Sequence, residues 1–237
     1  MEQTRLLSHS QAKRFYDRLG AKLDTQSFYE LPALRELAKH LELNRCRAIV
    51  EFGCGTGRFA AELLENQLPP EAIYLGVDIS TTMAALATAR LARYGRRAEV
   101  RKSDGMPHID SMDTVFDRFI CTYVLDLLTD DESRAVLREA HRVLVPGGML
   151  GLVSLTNGPT AMSRIVSTIW SGLHRLSPWL VGGCRPIEIV DFISAAEWSI
   201  DYRKIVTPFG VPSEIVVART LPQASTRGGM TVNAAPL

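Results

Sequence analysis

Cysteine is scarce and scattered in this chain. Cys46, Cys54, Cys121 and Cys184 are its only four, with no C-x-x-C pair among them, so neither a zinc site nor a disulfide framework is spelled out. They read as the reduced thiols of a cytosolic protein, and no metal is expected. Long apolar runs are missing too: none reaches the ~20 residues that span a bilayer. The N-terminal Met1-Glu2-Gln3-Thr4-Arg5 lacks an apolar signal core. A soluble, cytoplasmic protein is expected, with contact to a membrane surface left open. Charge of one sign is absent as well: 27 basic against 26 acidic residues give a net charge of +1, spread along the chain, so no long-range field marks a nucleic-acid partner. What the chain does have is apolar material, 46% over 237 residues, enough for one sizeable core and rather short for two complete domains.

The chain is organised around Ile49-Val50-Glu51-Phe52-Gly53-Cys54-Gly55-Thr56-Gly57-Arg58-Phe59. A short apolar run, an acid, three alternating glycines and a helical pattern read as a buried strand, a tight turn and a helix that starts beside a ligand, because residues without Cβ let the backbone bend sharply and be approached closely. A dinucleotide dehydrogenase spaces its glycines G-x-G-x-x-G, and the third would fall at Arg58. Glu51 would also face a pyrophosphate. S-adenosylmethionine (SAM), which has no phosphate and carries a sulfonium and an ammonium, suits an acid there better.

Strand and helix patterns then alternate. Phe59, Leu63 and Leu64 mark a helix that stops before Pro69-Pro70. Ile73 to Asp78 is a second buried strand ending in an acid, and Ser80 caps a helix running to about Tyr94, with Gly95 as its stop signal. Ala98 to Lys102 is a third strand leading into Ser103-Asp104-Gly105, and Phe116 to Cys121 is a fourth, with its first half partly exposed. Asp130 or Asp131 caps a helix to Val143, and Pro146-Gly147-Gly148 turns into a fifth strand, Met149 to Ser154. Such alternation predicts parallel strands joined by right-handed crossovers.

Upstream, Phe15, Tyr16 and Leu19 share one face of a helix within residues 8–23, capped by Ser8 or Ser10, and Pro32 suits the first turn of a second helix through Leu41. Downstream, residues 157–184 break the alternation with one apolar helical face: Met162, Ile165, Val166, Ile169, Trp170 and Leu173, then Leu176, Trp179 and Leu180. Pro186 opens a short helix through Ile193. Residues 199–206 and 212–219 are two β-rich runs whose short connection favours an antiparallel pair. The tail from Pro222 reads as disordered.

These motifs resemble the class I SAM-dependent methyltransferases, and more particularly the members acting on quinones and lipids, which carry a Tyr-Asp segment like Tyr16-Asp17 ahead of the glycine turn. The resemblance covers roughly residues 45–155. It implies a doubly wound, seven-stranded, mainly parallel α/β sheet, a Rossmann-like methyltransferase fold in the order 3-2-1-4-5-7-6 with the last strand antiparallel and a helical insertion after strand five. It divides the chain into an N-terminal helical segment closing the cofactor site (1–44), the methyltransferase domain (45–220) with a substrate cap at 157–184, and a tail (221–237). The implied cofactor is SAM, with S-adenosyl-L-homocysteine as product. Its expected contacts are Glu51, Gly53, Cys54, Gly55, Gly57, Asp78, Ile79, Met83, Ser103, Asp104, Gly105 and Thr122. Glu51 would orient the amino group, Asp78 would accept both ribose hydroxyls, and Asp104 would accept the adenine amino group. Structural roles compete: Glu51 could pair with Arg58, and Asp78 could cap the next helix.

The implied activity is in-line methyl transfer to a small or medium apolar acceptor, with Tyr123 as the residue orienting it and Tyr16, Tyr123, Trp170, His174 and Arg185 as substrate contacts. Proximity and alignment supply most of such an acceleration, and a base is needed only where the acceptor is protonated. No Asn-Pro-Pro-Tyr follows strand four, so the resemblance to amino-methylating DNA and glutamine enzymes is poor. His9 and His40 read as surface residues and His141 as structural. The 162–181 stretch, with two tryptophans beside Arg164 and Arg175, offers a peripheral membrane contact. Two other readings stay open: a methyltransferase-fold binding module without turnover, and a nicotinamide-dependent dehydrogenase.

Overall fold

The computed structural model describes residues 6–20, 27–158, 168, 172, 176–177 and 183–222. Seven strands, β1 (Ala48–Phe52), β2 (Ile73–Asp78), β3 (Ala98–Lys102), β4 (Phe116–Thr122), β5 (Leu144–Leu155), β6 (Trp198–Val206) and β7 (Ser213–Thr220), form one sheet in the order β3-β2-β1-β4-β5-β7-β6. Pairing is parallel from β3 through to β5, and β7 runs antiparallel to both β5 and β6. This is the expected order and the expected odd strand.

Alternation along the strands builds two cores, one on each face of the sheet. Ile49 of β1 and Ile120 of β4 face the core shared with α2 (Ser27–His40), α3 (Arg58–Asn66) and α4 (Thr81–Leu91). Val50, Phe119 and Cys121 face the core shared with α5 (Asp130–Val143). β1 is buried along its whole length, as a central parallel strand should be.

Local chemistry refines several expectations. The helix within residues 8–23 is α1 (His9–Leu19), with Ser8 as N-cap in a capping box with Gln11. Pro32 lies inside α2 rather than in its first turn, because the helix starts at Ser27. The cap of α5 is Thr129, whose side chain accepts from the Glu132 N–H while Glu132 reaches back, so Asp130 and Asp131 fill the first turn instead. The first half of β4 is not exposed: Phe116 and Arg118 are buried, and the Arg118 guanidinium donates to the Leu41 and Glu42 carbonyls at the end of α2. Pro146-Gly147-Gly148 lies within β5 as an irregularity, where the pairing with β4 shifts register between Phe116 and Arg118. After Pro186 only a 3-10 turn forms, Ile189–Phe192. Most of the 157–184 insertion and the tail from 223 lie outside the described residues.

Candidate active site

The carboxyl ends of β1, β2 and β4 open into a cavity of about 200 Å³. Ligands of open α/β sheets bind at this place. Side chains of α1 and α2 also line it, including Ala12, Tyr16, Tyr29 and Leu34.

The glycine turn supplies the floor. Gly53, Gly55 and Gly57 all have positive φ, between 54° and 79°, which side-chain-bearing residues rarely adopt. At Gly53 space is forbidden as well: a Cβ there would stand 2.2 Å from Cγ2 of Val124. Gly57 serves another purpose. It is the N-cap of α3, a Cβ on it would meet Ala87 of α4 at 3.0 Å, and it does not line the cavity.

Two buried carboxylates stand beside the turn. The Asp78 Oδ2 accepts from the Gly55 N–H at 2.8 Å and Oδ1 from the Ser80 N–H at 2.8 Å, so the acid ties the turn to the start of α4. Burial pushes its carboxyl up from the ordinary value, against the pull of those two N–H groups. Glu51 is 2% exposed, and its Oε2 accepts from the Tyr74 hydroxyl at 2.6 Å. Burial, opposed by that hydroxyl and reinforced by the nearby Asp78 charge, pushes Glu51 up to about 8. Asp78 therefore does more than cap a helix, and Glu51 is held by Tyr74, a strand residue that sequence reasoning did not connect to it.

Of the expected cofactor contacts, Glu51, Gly53, Cys54, Gly55, Asp78, Ile79, Met83, Ser103, Gly105 and Thr122 line the cavity. Gly57 and Asp104 do not. Asp104 is exposed, and its Oδ1 accepts from the Met106 N–H at 2.8 Å, closing its own loop. Of the expected substrate contacts, Tyr16 and Tyr123 line the cavity. Tyr123 is held at φ 55°, rare for a residue with a side chain, and its hydroxyl lies 3.0 Å from the Ser213 hydroxyl. Arg185 stands apart: its guanidinium donates to the Leu128 carbonyl and to Asp130, and its N–H to the Asp126 carbonyl, so it braces the β4–α5 loop. Trp170 and His174 lie outside the described residues.

Three groups, two of them lining the cavity, escaped sequence reasoning. His9 is not a plain surface residue; it lines the cavity and its Nε2 lies 2.7 Å from Glu132, joining α1 to α5. Tyr29 is buried on α2, with its ring edge-on to Tyr123 at 6.1 Å. Asp126 is fully buried in the β4–α5 loop. An acid within Val124-Leu125-Asp126-Leu127-Leu128 was the signal that could have found it. Asp17, beside Tyr16, pins α1 over the site: it accepts from the Ser80 hydroxyl at 2.6 Å and the Thr82 N–H at 3.1 Å. His40 and His141 are placed away from the cavity, His40 stacked on Tyr202 at 3.6 Å and His141 edge-on to Trp198 at 5.3 Å.

Fold and turn together define an α/β domain with a cavity at its strand ends and no phosphate-binding glycine pattern. Residues 49–148 match the family model described as a methyltransferase domain. Residues 49–148 thus carry a methyltransferase domain of the class I SAM-dependent type. The chain is 30% identical over 164 residues to a malonyl-(acyl-carrier protein) O-methyltransferase from Marinomonas sp., covering 68% of this chain and 56% of that one. It is 27% identical over 145 residues to a demethylmenaquinone methyltransferase from Lactobacillus johnsonii, covering 61% of this chain and 57% of that one. The chain thus spans a little over half the length of these curated relatives. In fold it is similar to the N-methyltransferase NodS from Bradyrhizobium japonicum, solved with S-adenosyl-L-homocysteine, at a TM-score of 0.63 and 16% identity over 88% of this chain and 98% of that one. Among the described residues no helix is long and apolar enough to cross a membrane, and no group of His, Cys, Asp and Glu side chains could hold a metal ion.

Proposed function

We propose that this protein transfers a methyl group from SAM to a small or medium-sized, largely apolar acceptor. One observation carries the reading: two buried carboxylates, Glu51 and Asp78, flank a glycine turn in a single cavity. That arrangement repels a pyrophosphate and receives a cation and a pair of hydroxyl donors. Bound there, SAM would supply a methyl group already activated on a sulfonium.

The chain's own part is to hold and to exclude. Each Asp78 oxygen accepts one backbone N–H and keeps acceptor capacity for a ribose hydroxyl. Glu51 offers negative charge for the amino group, and Tyr74 steadies that carboxylate from behind. Tyr16 and α1, anchored through Asp17, cover the site and keep water out. Tyr123, fixed by its backbone conformation and by Ser213, orients the acceptor. The 157–184 stretch is the source of further acceptor contacts, Trp170 and His174 among them, and of any contact with a membrane surface.

Calorimetric titration with SAM and with NADH, followed by radiolabel transfer to a cell extract, tests the reading. SAM and its demethylated product should bind, NADH should not, and label should appear on an extractable small molecule. Tight NADH binding, or SAM binding with no transfer to any extract, would return the protein to the dehydrogenase or binding-module alternatives.

A further inference from the structure

With SAM as the cofactor, the reading on which this inference rests, Glu51 must be ionised and correctly aimed to receive the ammonium. The sheet supplies a group that can do both. Register places Glu51 of β1 directly across from Gly76 of β2, with Tyr74 two residues earlier on the same face of the sheet. A side chain at position 76 would block the way between them: a Cβ there would stand 2.9 Å from the Tyr74 hydroxyl oxygen and 2.9 Å from Cys54 Sγ. The Tyr74 side chain therefore runs past Gly76, and its hydroxyl donates to Glu51 Oε2 at 2.6 Å.

Tyr74 and Glu51 are both buried, and only Glu51 lines the cavity, so the tyrosine acts from behind. A carboxylate with one donor keeps acceptor capacity for another on its cavity side. The titratable groups around Glu51 are Tyr74 and Asp78 of β2, Cys54 of the turn and Cys121 of β4. Burial is the chief influence against its charge, and the Asp78 carboxylate adds to it; the Tyr74 hydroxyl favours the charge. That hydroxyl stays a donor, because burial and then the Glu51 charge push its own titration well above the ordinary value. A hydrogen bond to an ionised acceptor is about twice as strong as one between neutral groups.

We propose that Tyr74 is a positioning residue for the amino-acid end of the cofactor. Through the space left by Gly76 it reaches Glu51, favours the anionic form of that carboxylate and fixes its direction. It thereby sets the preference for ligands that carry an ammonium over those that lack one, without touching either.

The test uses calorimetry on the whole chain with two ligands that share a nucleoside thioether: S-adenosyl-L-homocysteine, which carries the ammonium, and 5′-methylthioadenosine, which does not. The quantity read is the ratio of the two affinities. Tyr74→Phe keeps the ring in the core and removes the hydroxyl alone. At pH 7 it should lower that ratio at least about tenfold relative to wild type, the scale of a hydrogen bond to a charged group. The deficit should shrink as pH rises toward about 9.5, where Glu51 ionises without help. His9, Glu30 and Arg58 line the same cavity from α1, α2 and α3, but their titration and that of the ligand's ammonium are common to both proteins and cancel in the comparison. Gly76→Ala, which crowds the hydroxyl from the other side, should lower the ratio in the same direction. An equal fall in affinity for both ligands, or a deficit that does not change with pH, makes Tyr74 a packing residue and overturns the proposal. Should Tyr74→Phe fail to fold, an unchanged ratio in Gly76→Ala overturns it as well. Failure of the wild type to bind either ligand removes the methyltransferase reading itself, whereas a wild-type preference that survives in Tyr74→Phe removes Tyr74 alone.

Discussion

The two ends of the cavity are built on different plans. At the glycine turn the shape is set by backbone: three residues at positive φ and two acids whose polar bonds are made with the turn, β2 and the start of α4. At the opposite wall, where Tyr16, Tyr29 and Tyr123 stand, the shape is set by side chains from α1, α2 and the end of β4, with residue 184 beside them. The first end is complete before a ligand arrives. The second draws on residues far apart in the chain, and a family that shares a cofactor while differing in acceptor would place its variation there.

The sharpest way to break this contrast is at Asp78. Asp78→Ala removes the acceptors offered to two ribose hydroxyls and frees the Gly55 and Ser80 N–H groups. Two charge-assisted bonds at ~1.5–3 kcal/mol each place the loss of SAM affinity at about a hundredfold or more. Calorimetry on the folded variant checks it, and an unchanged dissociation constant would remove Asp78 from the cofactor site. Gly53→Ala comes next. It places a Cβ against Val124 and strains the φ of 79°, at a cost of about 1–3 kcal/mol in urea unfolding. Adding Val124→Ala should recover the part of that cost due to the clash and leave the part due to the backbone. Full recovery would mean that the turn tolerates a side chain and that its glycine is not a backbone requirement.

Glu51 gives a smaller, pH-dependent effect. Its carboxyl titrates near 8 in the unliganded protein, whereas a bound ammonium requires it ionised. SAM affinity should therefore fall as pH drops below 8, by up to about tenfold per unit, and Glu51→Gln should flatten the slope. Stability runs the other way. Between the ordinary value of 4.5 and about 8 the native state holds a proton that the unfolded state has lost, so unliganded stability declines as pH rises through that window, and Glu51→Gln removes that component. A pH-independent affinity in the wild type would show that Glu51 does not face a charged group of the cofactor.

How much of this was legible in the sequence follows from the same contrast. Strand order, the odd antiparallel strand and the glycine turn could be read because each depends on residues near one another in the chain: Glu51 to Gly57, Ile73 to Asp78, and the short link between β6 and β7. The tyrosine wall could not, since Tyr29 of α2 and Tyr123 after β4 meet edge-to-face from distant parts of the chain and no periodic pattern singles out Tyr29. Pro32 misled because proline favours a first turn, yet the helix starts further upstream at Ser27 and accommodates the proline inside it. Arg185 misled because a cation beside an apolar insertion suggests substrate, and here it braces a loop.

The smallest expected effect sits where family resemblance and geometry part. The resemblance implies that Asp104 accepts the adenine amino group, but its Oδ1 accepts the Met106 N–H, its side chain is exposed, and only its neighbours Ser103 and Gly105 line the cavity. An Asx turn of this kind shapes a loop without reaching a ligand. Asp104→Ala should change SAM affinity by less than about threefold, since one solvent-exposed hydrogen bond contributes about 0.5–1.5 kcal/mol and this one supports the loop only indirectly. Asp104→Asn, which can still accept the Met106 N–H, should be indistinguishable from wild type. A tenfold loss in both variants would mean that the loop turns the carboxylate inward when the cofactor binds, and that the β3 end belongs with the side-chain-built half of the cavity. A loss in Asp104→Ala alone would assign the effect to the turn.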